Sequence, residues 1–280
     1  MPAEVARQLL GGISRLPGEP GDAEAFIRML QHVLLGHLDD AAALHKALDR
    51  LQSITGDDAV LRGAIARGRL ALALVDDLGT PSTLEPAERV RALYDAALAH
   101  TRRRQWVAVN DRLAAAGALA ERDAAAQRAY AAMANNIAAH LRDGLATGEP
   151  ADNPRVRAML DAATRVRQAW TRAGGWLEAE RAEYQLARCH AAAGQGQEAV
   201  AHAQDCLALC VANAADAFEC FFAYEALAHA QACAGQPGLA RQARDAMADG
   251  LQQMDDASRA FAAPCLAQVD ALLDIAACPR

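Results

Sequence analysis

The fold of this chain is decided by GWLEAERAEYQLARCHAAAGQGQEAVAHAQDCLALC, residues 175–210, and AFECFFAYEALAHAQACAGQPGLARQARDAMADGL, residues 217–251. The two segments match when Gly194 is laid over Gly235, an offset of 41 residues. The other pairs matched at this offset are Leu186 and Leu227, Ala187 and Ala228, Ala199 and Ala240, and Ala203 and Arg244. Self-similarity at a fixed period is typical of helical repeat proteins, which recognise partners along an extended surface.

Small residues predict how the helices of each segment pack. Two helix axes approach to about 8 Å only where the facing side chains are small, and Ala187 and Ala199 lie where the paired helices of the first segment should cross. Gly194 favours the left-handed backbone conformation that ends a helix. The next helix begins within a few residues, so the pair is predicted to be antiparallel. Neither helix can bury its apolar face alone, and each pair therefore requires neighbours.

The spacing of Leu-Ala, then Gly, then Ala resembles the tetratricopeptide repeat. The matching positions are Leu186, Ala187, His190, Gly194, Ala199, Ala203 and Cys206 in the first segment, and Leu227, Ala228, Gln231, Gly235, Ala240 and Met247 in the second. The sequence departs from the family in its longer spacing, against about 34 residues, in Glu183 at the first-helix aromatic position, and in the lack of the closing proline. The resemblance implies an α-solenoid, a right-handed superhelix of antiparallel helix hairpins.

Composition supports an all-α protein. Hydrophobic residues make up 53% of the 280 residues but aromatic residues only 4%, so alanine must supply much of the core. Alanine has the highest helix propensity, and strand-like alternation of Val, Ile and Thr is lacking. We expect about twelve to thirteen helices in antiparallel pairs. Residues 1–121 are predicted to be an N-terminal region of diverged repeats, and residues 122–280 tetratricopeptide-like repeats with a C-terminal capping helix, together forming one continuous solenoid.

Charge and hydropathy disfavour several classes of function. The net charge is -7 with acidic and basic residues interspersed, whereas nucleic-acid binding needs a basic face. The run Arg102–Arg104 would neutralise too few phosphates. No run of about 18 apolar residues is present, and the N-terminal MPAEVARQLLGG lacks the apolar segment of a signal peptide. We expect a cytoplasmic protein that binds neither nucleic acid nor membrane, and the sequence does not indicate its oligomeric state.

Seven cysteines lie between residues 189 and 278. Their odd number and the length of the chain argue against a disulfide framework, and we expect reduced thiols. His202, Cys206 and Cys210 recur every four residues on one predicted helix, a spacing that can align zinc ligands. Both cysteines share a face with the core alanines of that helix, so core packing is the favoured interpretation. Neither a metal ion nor another cofactor is predicted.

Motifs that carry catalysis are missing from the sequence. It has no Gly-x-Ser-x-Gly elbow, Walker loop, dinucleotide-binding glycine motif or His-Glu-x-x-His. The leading hypothesis is a non-enzymatic scaffold or adaptor that holds a peptide or a partner-protein segment. One alternative is a sensor module of a signalling or transcriptional system that acts through a separate effector chain. Another is an enzyme built on a helical scaffold, which a broad substrate screen would detect.

The resemblance also implies which residues face the groove, because the first helix of each tetratricopeptide unit lines the concave surface. The partner-binding candidates are Asn135, Asn136, Arg181, Tyr184, Arg188, Phe222, Glu225 and His229. Arg181 and Arg188 are seven residues apart, hence two turns along one face, a spacing suited to an acidic segment of a partner. Arginine and tyrosine are enriched at binding hot spots. An ordinary solvated face without a ligand is the alternative.

Overall fold

The computed structural model of the chain describes residues 2–16, 19–78, 82–143, 145 and 153–277. These residues form thirteen α-helices, one short 3-10 turn and one π-helix, and none of them belongs to a β-strand. The predictions of an all-α protein and of twelve to thirteen helices are therefore confirmed. No helix in the described ranges is long and apolar enough to cross a membrane.

The helices are numbered in chain order. They are α1 (Pro2–Gly12), α2 (Pro20–Gln31), α3 (Ala41–Ile54), α4 (Ala59–Val75), α5 (Pro86–Arg102), α6 (Trp106–Ala120), α7 (Ala124–Arg142), α8 (Pro154–Ala173), α9 (Trp176–Ala192), α10 (Gly196–Ala212), α11 (Ala217–Cys233), α12 (Pro237–Gln252) and α13 (Asp256–Ala277), with the 3-10 turn at Ile13–Arg15 and the π-helix at His32–His37. The chain divides into two compact units, residues 1–133 and 134–280. This boundary falls inside α7, whereas the sequence predicted a division just before that helix.

Short polar side chains explain where several helices begin. Asp40, Asp58 and Asp216 each accept a hydrogen bond from a backbone amide of the first turn, at 2.9–3.0 Å. Such bonds satisfy amides that an α-helix leaves unpaired at its N terminus. Proline occupies the first turn of α2, α5, α8 and α12, where a backbone N–H has no intrahelical partner to lose. The starts of these helices are therefore determined locally by the sequence.

One turn geometry recurs at the ends of α5, α9 and α11. The backbone amides of Gln105, Gln195 and Gln236 each donate to the carbonyl five residues earlier, at 2.9 Å in all three cases. The residue before each glutamine has a positive φ, which is 57° at Arg104, 74° at Gly194 and 72° at Gly235. A left-handed residue here ends the helix and satisfies its last carbonyl groups. The pair α5–α6 of the first unit therefore has the same turn as the hairpins α9–α10 and α11–α12.

A buried arginine lies at the centre of the first unit. Nη1 of Arg67, on α4, lies 2.6 Å from Glu88 Oε2 of α5 and 3.4 Å from Glu24 Oε1 of α2. Its Nε donates to Gln31 Oε1 at 3.3 Å. Burial raises the pKa of the Asp95 carboxyl, also on α5, to about 7, and the charge of Arg67 offsets this rise only in part. Apolar periodicity in the sequence did not indicate this polar centre.

The helices of the second unit pack in chain order, α8 on α9 and so on to α12 on α13. In addition, α9 contacts α11 directly, and α11 contacts α13. These three helices therefore form one layer, while α10 packs against α9 and α11, and α12 against α11 and α13. Ala187 and Ala199, the predicted crossing points of α9 and α10, are both fully buried.

The beginning of α10 lies against the end of α11. A Cβ atom on Gly196 would lie 2.6 Å from Ala234 Cα, closer than a side chain can approach a backbone. Gly238 occupies the first turn of α12, and a Cβ atom there would meet nothing within 4 Å. Packing therefore requires glycine at the start of α10 but not at the start of α12.

We predict opposite effects of alanine at these two glycines. Gly196→Ala should lower the free energy of unfolding by about 1–3 kcal/mol, because the backbone of α11 has to move to admit the methyl group. Gly238→Ala should raise it by about 0.5–1 kcal/mol, because alanine restricts the unfolded chain. Urea unfolding followed by circular dichroism measures both. Equal stabilities of the two variants would contradict the close contact.

The raised pKa of Asp95 predicts that the stability of the protein depends on pH. Its pKa is about 7 in the folded chain and about 3.9 in an unfolded one, so between these values the folded state holds a proton that the unfolded state has released. The uptake of this proton stabilises the folded state fully below about pH 4, and this stabilisation is lost progressively until the pH has risen through about 7. From about pH 4 to about pH 8, wild type should lose on the order of 3 kcal/mol relative to Asp95→Asn.

Urea unfolding of both proteins across this pH range measures the difference. Asp57→Asn is the control, because Asp57 is an exposed carboxylate of the same first unit, and the stability of this variant should follow that of wild type across the pH range. If the stability of Asp95→Asn followed that of wild type at every pH, Asp95 would be ionised in the folded protein.

Candidate functional site

Predicted residues of α9 and α11 lie together on one face of the second unit. The ring of Tyr184 on α9 contacts Phe222 on α11, with centroids 6.2 Å apart. Phe222 also contacts Phe218 of α11 at 5.0 Å and Phe261 of α13 at 6.2 Å. Phe261 is 67% exposed. We call these four rings the aromatic cluster, and they join α9, α11 and α13 into one surface.

Two members of the aromatic cluster were missed in the sequence. Phe218 precedes Phe222 by four residues, so the two share a face of α11, and this helical spacing could have indicated the pair. Phe261 lies on α13, which was interpreted only as a capping helix. Its contacts with Phe218 and Phe222 depend on how α13 packs against α11, and no local sequence pattern reports such packing.

A buried ion pair connects α9 to α11 beside the aromatic cluster. Nη1 of Arg188 donates to Glu225 Oε1 and, at 3.2 Å, to the hydroxyl of Tyr184. That hydroxyl donates in turn to Glu225 Oε2 at 2.9 Å. Burial alone would lower the pKa of Arg188, but Tyr184 and Glu225 hold it above its usual value. Burial also raises the pKa of the Tyr184 phenol, so the network consists of a cation, an anion and a neutral hydroxyl.

The two candidate arginines occupy different environments. Arg181 is 56% exposed in its side chain and pairs with Glu219 of α11 at 2.6 Å. Arg188 is only 13% exposed, and its guanidinium is engaged by Glu225. The expectation that both arginines are presented on the surface therefore needs correction for Arg188. Sequence spacing placed them on one face of α9 but could not show that a neighbouring helix covers the second.

His229 of α11 lies beside the buried ion pair, with its Nε2 3.8 Å from Glu225 Oε1, and the charge of Arg142 on α7 also acts on it. Burial and, to a smaller extent, the charges of Arg188 and Arg142 together lower the pKa of His229 to about 3, so this imidazole is neutral near pH 7. Within the described part of the chain, neither the buried Nε2 of His229 nor the buried Nη1 of Arg142 has a hydrogen-bond partner. The other guanidinium nitrogens of Arg142 donate to Asp143. Buried polar atoms without partners cost folding free energy.

The candidates Asn135 and Asn136 lie on α7. Asn135 is half-buried and Asn136 is exposed. Asn135 precedes Arg142 by seven residues, which places both on one side of α7. Their participation in partner binding stays a prediction.

The cysteines of α10 pack as predicted. Cys206 and Cys210 are fully buried, which confirms their assignment to the core. The six cysteines in the described part of the chain have free thiols, and Cys278 lies outside that part. His202 faces α9, where its Nδ1 lies 2.7 Å from Glu183 Oε2.

Comparisons with protein-family models and with curated proteins found no match. No protein-family model matches the sequence, and no curated protein matches it significantly. The class of the protein is therefore defined by its fold and by the surface formed by α9, α11 and α13. It is an all-α chain of sequentially packed helices whose second unit carries an aromatic and ion-paired surface.

We predict that the two arginine pairs differ sharply in their contribution to stability. Arg188→Gln leaves Glu225 buried without its cation and should cost about 3–5 kcal/mol of unfolding free energy. Arg181→Gln, at the exposed pair, should cost about 0–1 kcal/mol. Replacing Arg188 and Glu225 together by Met should recover most of the first loss, because no buried charge remains. Urea unfolding measures all three variants, and similar losses for the two single variants would show that Arg188 is not buried.

Proposed function

We propose that the chain is a non-enzymatic scaffold or adaptor, and that a peptide or a segment of a partner protein binds across α9, α11 and α13. The aromatic cluster is the observation that carries this proposal. Contiguous exposed apolar surface marks interaction sites on proteins, and aromatic residues are enriched in the cores of interfaces. Phe261 is the exposed ring of the cluster and lies beside Phe218 and Phe222, so burial by a partner would remove its apolar ring from water.

The register of α9 and α11 supports a tetratricopeptide-like solenoid. Tyr184 and Glu225, which share a hydrogen bond, are 41 residues apart, the same distance that relates the two matched segments. Equivalent positions of successive first helices therefore lie side by side, as expected when one hairpin stacks on the next. We infer that such stacking builds a groove from the layer of α9, α11 and α13, and that the first unit contributes diverged hairpins of the same kind.

Ion pairing limits the chemistry of the proposed partner. Glu225 already neutralises Arg188, so of the two candidate arginines Arg181 is the one with an exposed guanidinium, and Glu219 competes for it. Apolar side chains of the partner would then supply most of the contact on the aromatic cluster. A carboxylate of an acidic segment would pair with Arg181 at the rim, where exposed charges affect association rate and specificity more than affinity.

Selection of random peptides displayed on phage tests this proposal with the whole chain immobilised. We expect enriched peptides that combine a large apolar residue with a carboxylate. Phe261→Asp should weaken the binding of these peptides about tenfold or more, because it places a charge within the aromatic cluster. Arg181→Glu should weaken binding through repulsion of the carboxylate, with little change in the melting temperature.

Val211→Asp is the matched control. Val211 lies on α10 and is 72% exposed, so this variant adds the same charge to an exposed apolar position outside the layer of α9, α11 and α13. Its peptide binding should equal that of wild type. If no peptide is enriched, or if Phe261→Asp binds as well as Val211→Asp, the proposed binding surface is wrong.

A further inference from the structure

A second cluster of polar side chains lies between α9 and α10. Glu183 of α9 is buried and has a partner on each carboxylate oxygen. Its Oε1 lies 2.7 Å from Nε of Arg167 on α8, and its Oε2 lies 2.7 Å from Nδ1 of His202 on α10. One ligand atom each of Glu183, His202 and Asp205 lies within 4.8 Å of the other two. We propose that these three residues bind a divalent transition-metal ion such as Zn²⁺.

The donor atoms suit an ion of this class. One imidazole nitrogen and two carboxylate oxygens are common zinc ligands, at about 2.0–2.2 Å from the ion. The imidazole favours a first-row transition ion over Ca²⁺ or Mg²⁺, which prefer oxygen ligands. His202 and Asp205 are three residues apart, so they project from one side of α10 towards Glu183. The ligand atoms need to close only from separations below 4.8 Å, which side-chain rotation can achieve.

Neighbouring residues restrain two of the ligands. Arg167 occupies Oε1 of Glu183 and leaves Oε2 directed at His202, as outer-shell groups orient ligating carboxylates in metal sites. The His190 ring stacks on His202, with centroids 5.2 Å apart and planes at 22°. His190 is itself held by Gln195 through a contact of 2.6 Å between Nδ1 and Oε1. The ligands therefore lose little conformational freedom when the ion binds.

The site can be loaded from the protein surface. Asp205 is exposed, His202 is partly exposed and Glu183 is buried, so the ion meets the outer carboxylate first. The ion takes the place of the hydrogen that His202 Nδ1 donates to Glu183, and the ring then carries its hydrogen on Nε2. Three protein ligands leave a coordination position for water.

The position of Glu183 in the repeat adds to the argument. The tetratricopeptide-like pattern places an aromatic side chain here, and this chain buries a carboxylate instead. A buried carboxylate is costly unless cations or donors surround it. Arg167 and His202 meet this cost without an ion, and a bound ion would take over the contact at Oε2.

Calorimetric titration of the full, reduced chain with Zn²⁺ tests the proposal. We expect one ion bound per chain through Glu183, His202 and Asp205. Asp205→Asn should weaken Zn²⁺ binding about tenfold or more, and it changes an exposed residue, so the fold should persist. Glu183→Gln and His202→Gln should weaken binding at least as much. Titration with Co²⁺ should give the weak visible bands of nitrogen and oxygen ligation, without the intense near-ultraviolet band of a thiolate ligand.

His45→Gln is the matched control. On α3, His45 and Asp49 form an exposed histidine–carboxylate pair, with His45 Nδ1 3.1 Å from Asp49 Oδ2. Its Zn²⁺ binding should equal that of wild type. Absence of binding, a thiolate band with Co²⁺, or equal affinities of wild type and Asp205→Asn would overturn the proposal. No peptide is present in these titrations, so their outcome is independent of the proposed scaffold function.

Discussion

Close approach of helices through alanine is the constraint on which this structure depends. The fully buried alanines between the helices of the second unit include Ala187, Ala199, Ala203, Ala228 and Ala240. A methyl group buries little apolar area, so each such contact contributes little free energy. Stability must then come from packing each helix against more than one neighbour, and α9, α10, α11 and α12 each do so. Glycine is required where a backbone lies in the way, as at Gly196.

Alanine faces look alike, and apolar contact alone distinguishes poorly between alternative pairings of helices. Buried polar contacts supply the missing distinction in both units. Arg67 joins α4 to α5, Arg188 joins α9 to α11, and Glu183 joins α9 to α8 and α10. Pairs of this kind add little net stability, because desolvation offsets their attraction. A misplaced helix would leave one member buried without its partner, which is strongly unfavourable. We therefore interpret these contacts as determinants of which helix surfaces meet.

The sequence predicted what depends on local chemistry. Alanine content and apolar period predicted the all-α fold, and the glycine at position 194 predicted the turn that ends α9 with a positive φ. The tetratricopeptide resemblance assigned Tyr184 and Phe222 to one face, and their rings are in contact. The burial of Arg188, the exposure of Phe261 and the contact between Glu183 and His202 depend on long-range packing and on side-chain rotamers. No periodicity or residue spacing in a single sequence indicates these three features, and the structure was needed to find them.

Two hairpins with the same local motif show why such a motif cannot locate the proposed binding face. A histidine–glutamine contact closes the turn after α5 and the turn after α9 alike. Six residues before each of these histidines stands a tyrosine, Tyr94 in the first unit and Tyr184 in the second. The ring of Tyr94 stacks on His32 of the π-helix, whereas the ring of Tyr184 contacts Phe222 and enters the aromatic cluster. Both tyrosines are partly buried, so the same position contacts different partners in the two units because a different helix lies beside it. Any binding specificity of this chain must then reside in which helices are stacked together, and the hairpin itself provides the scaffold that both units share.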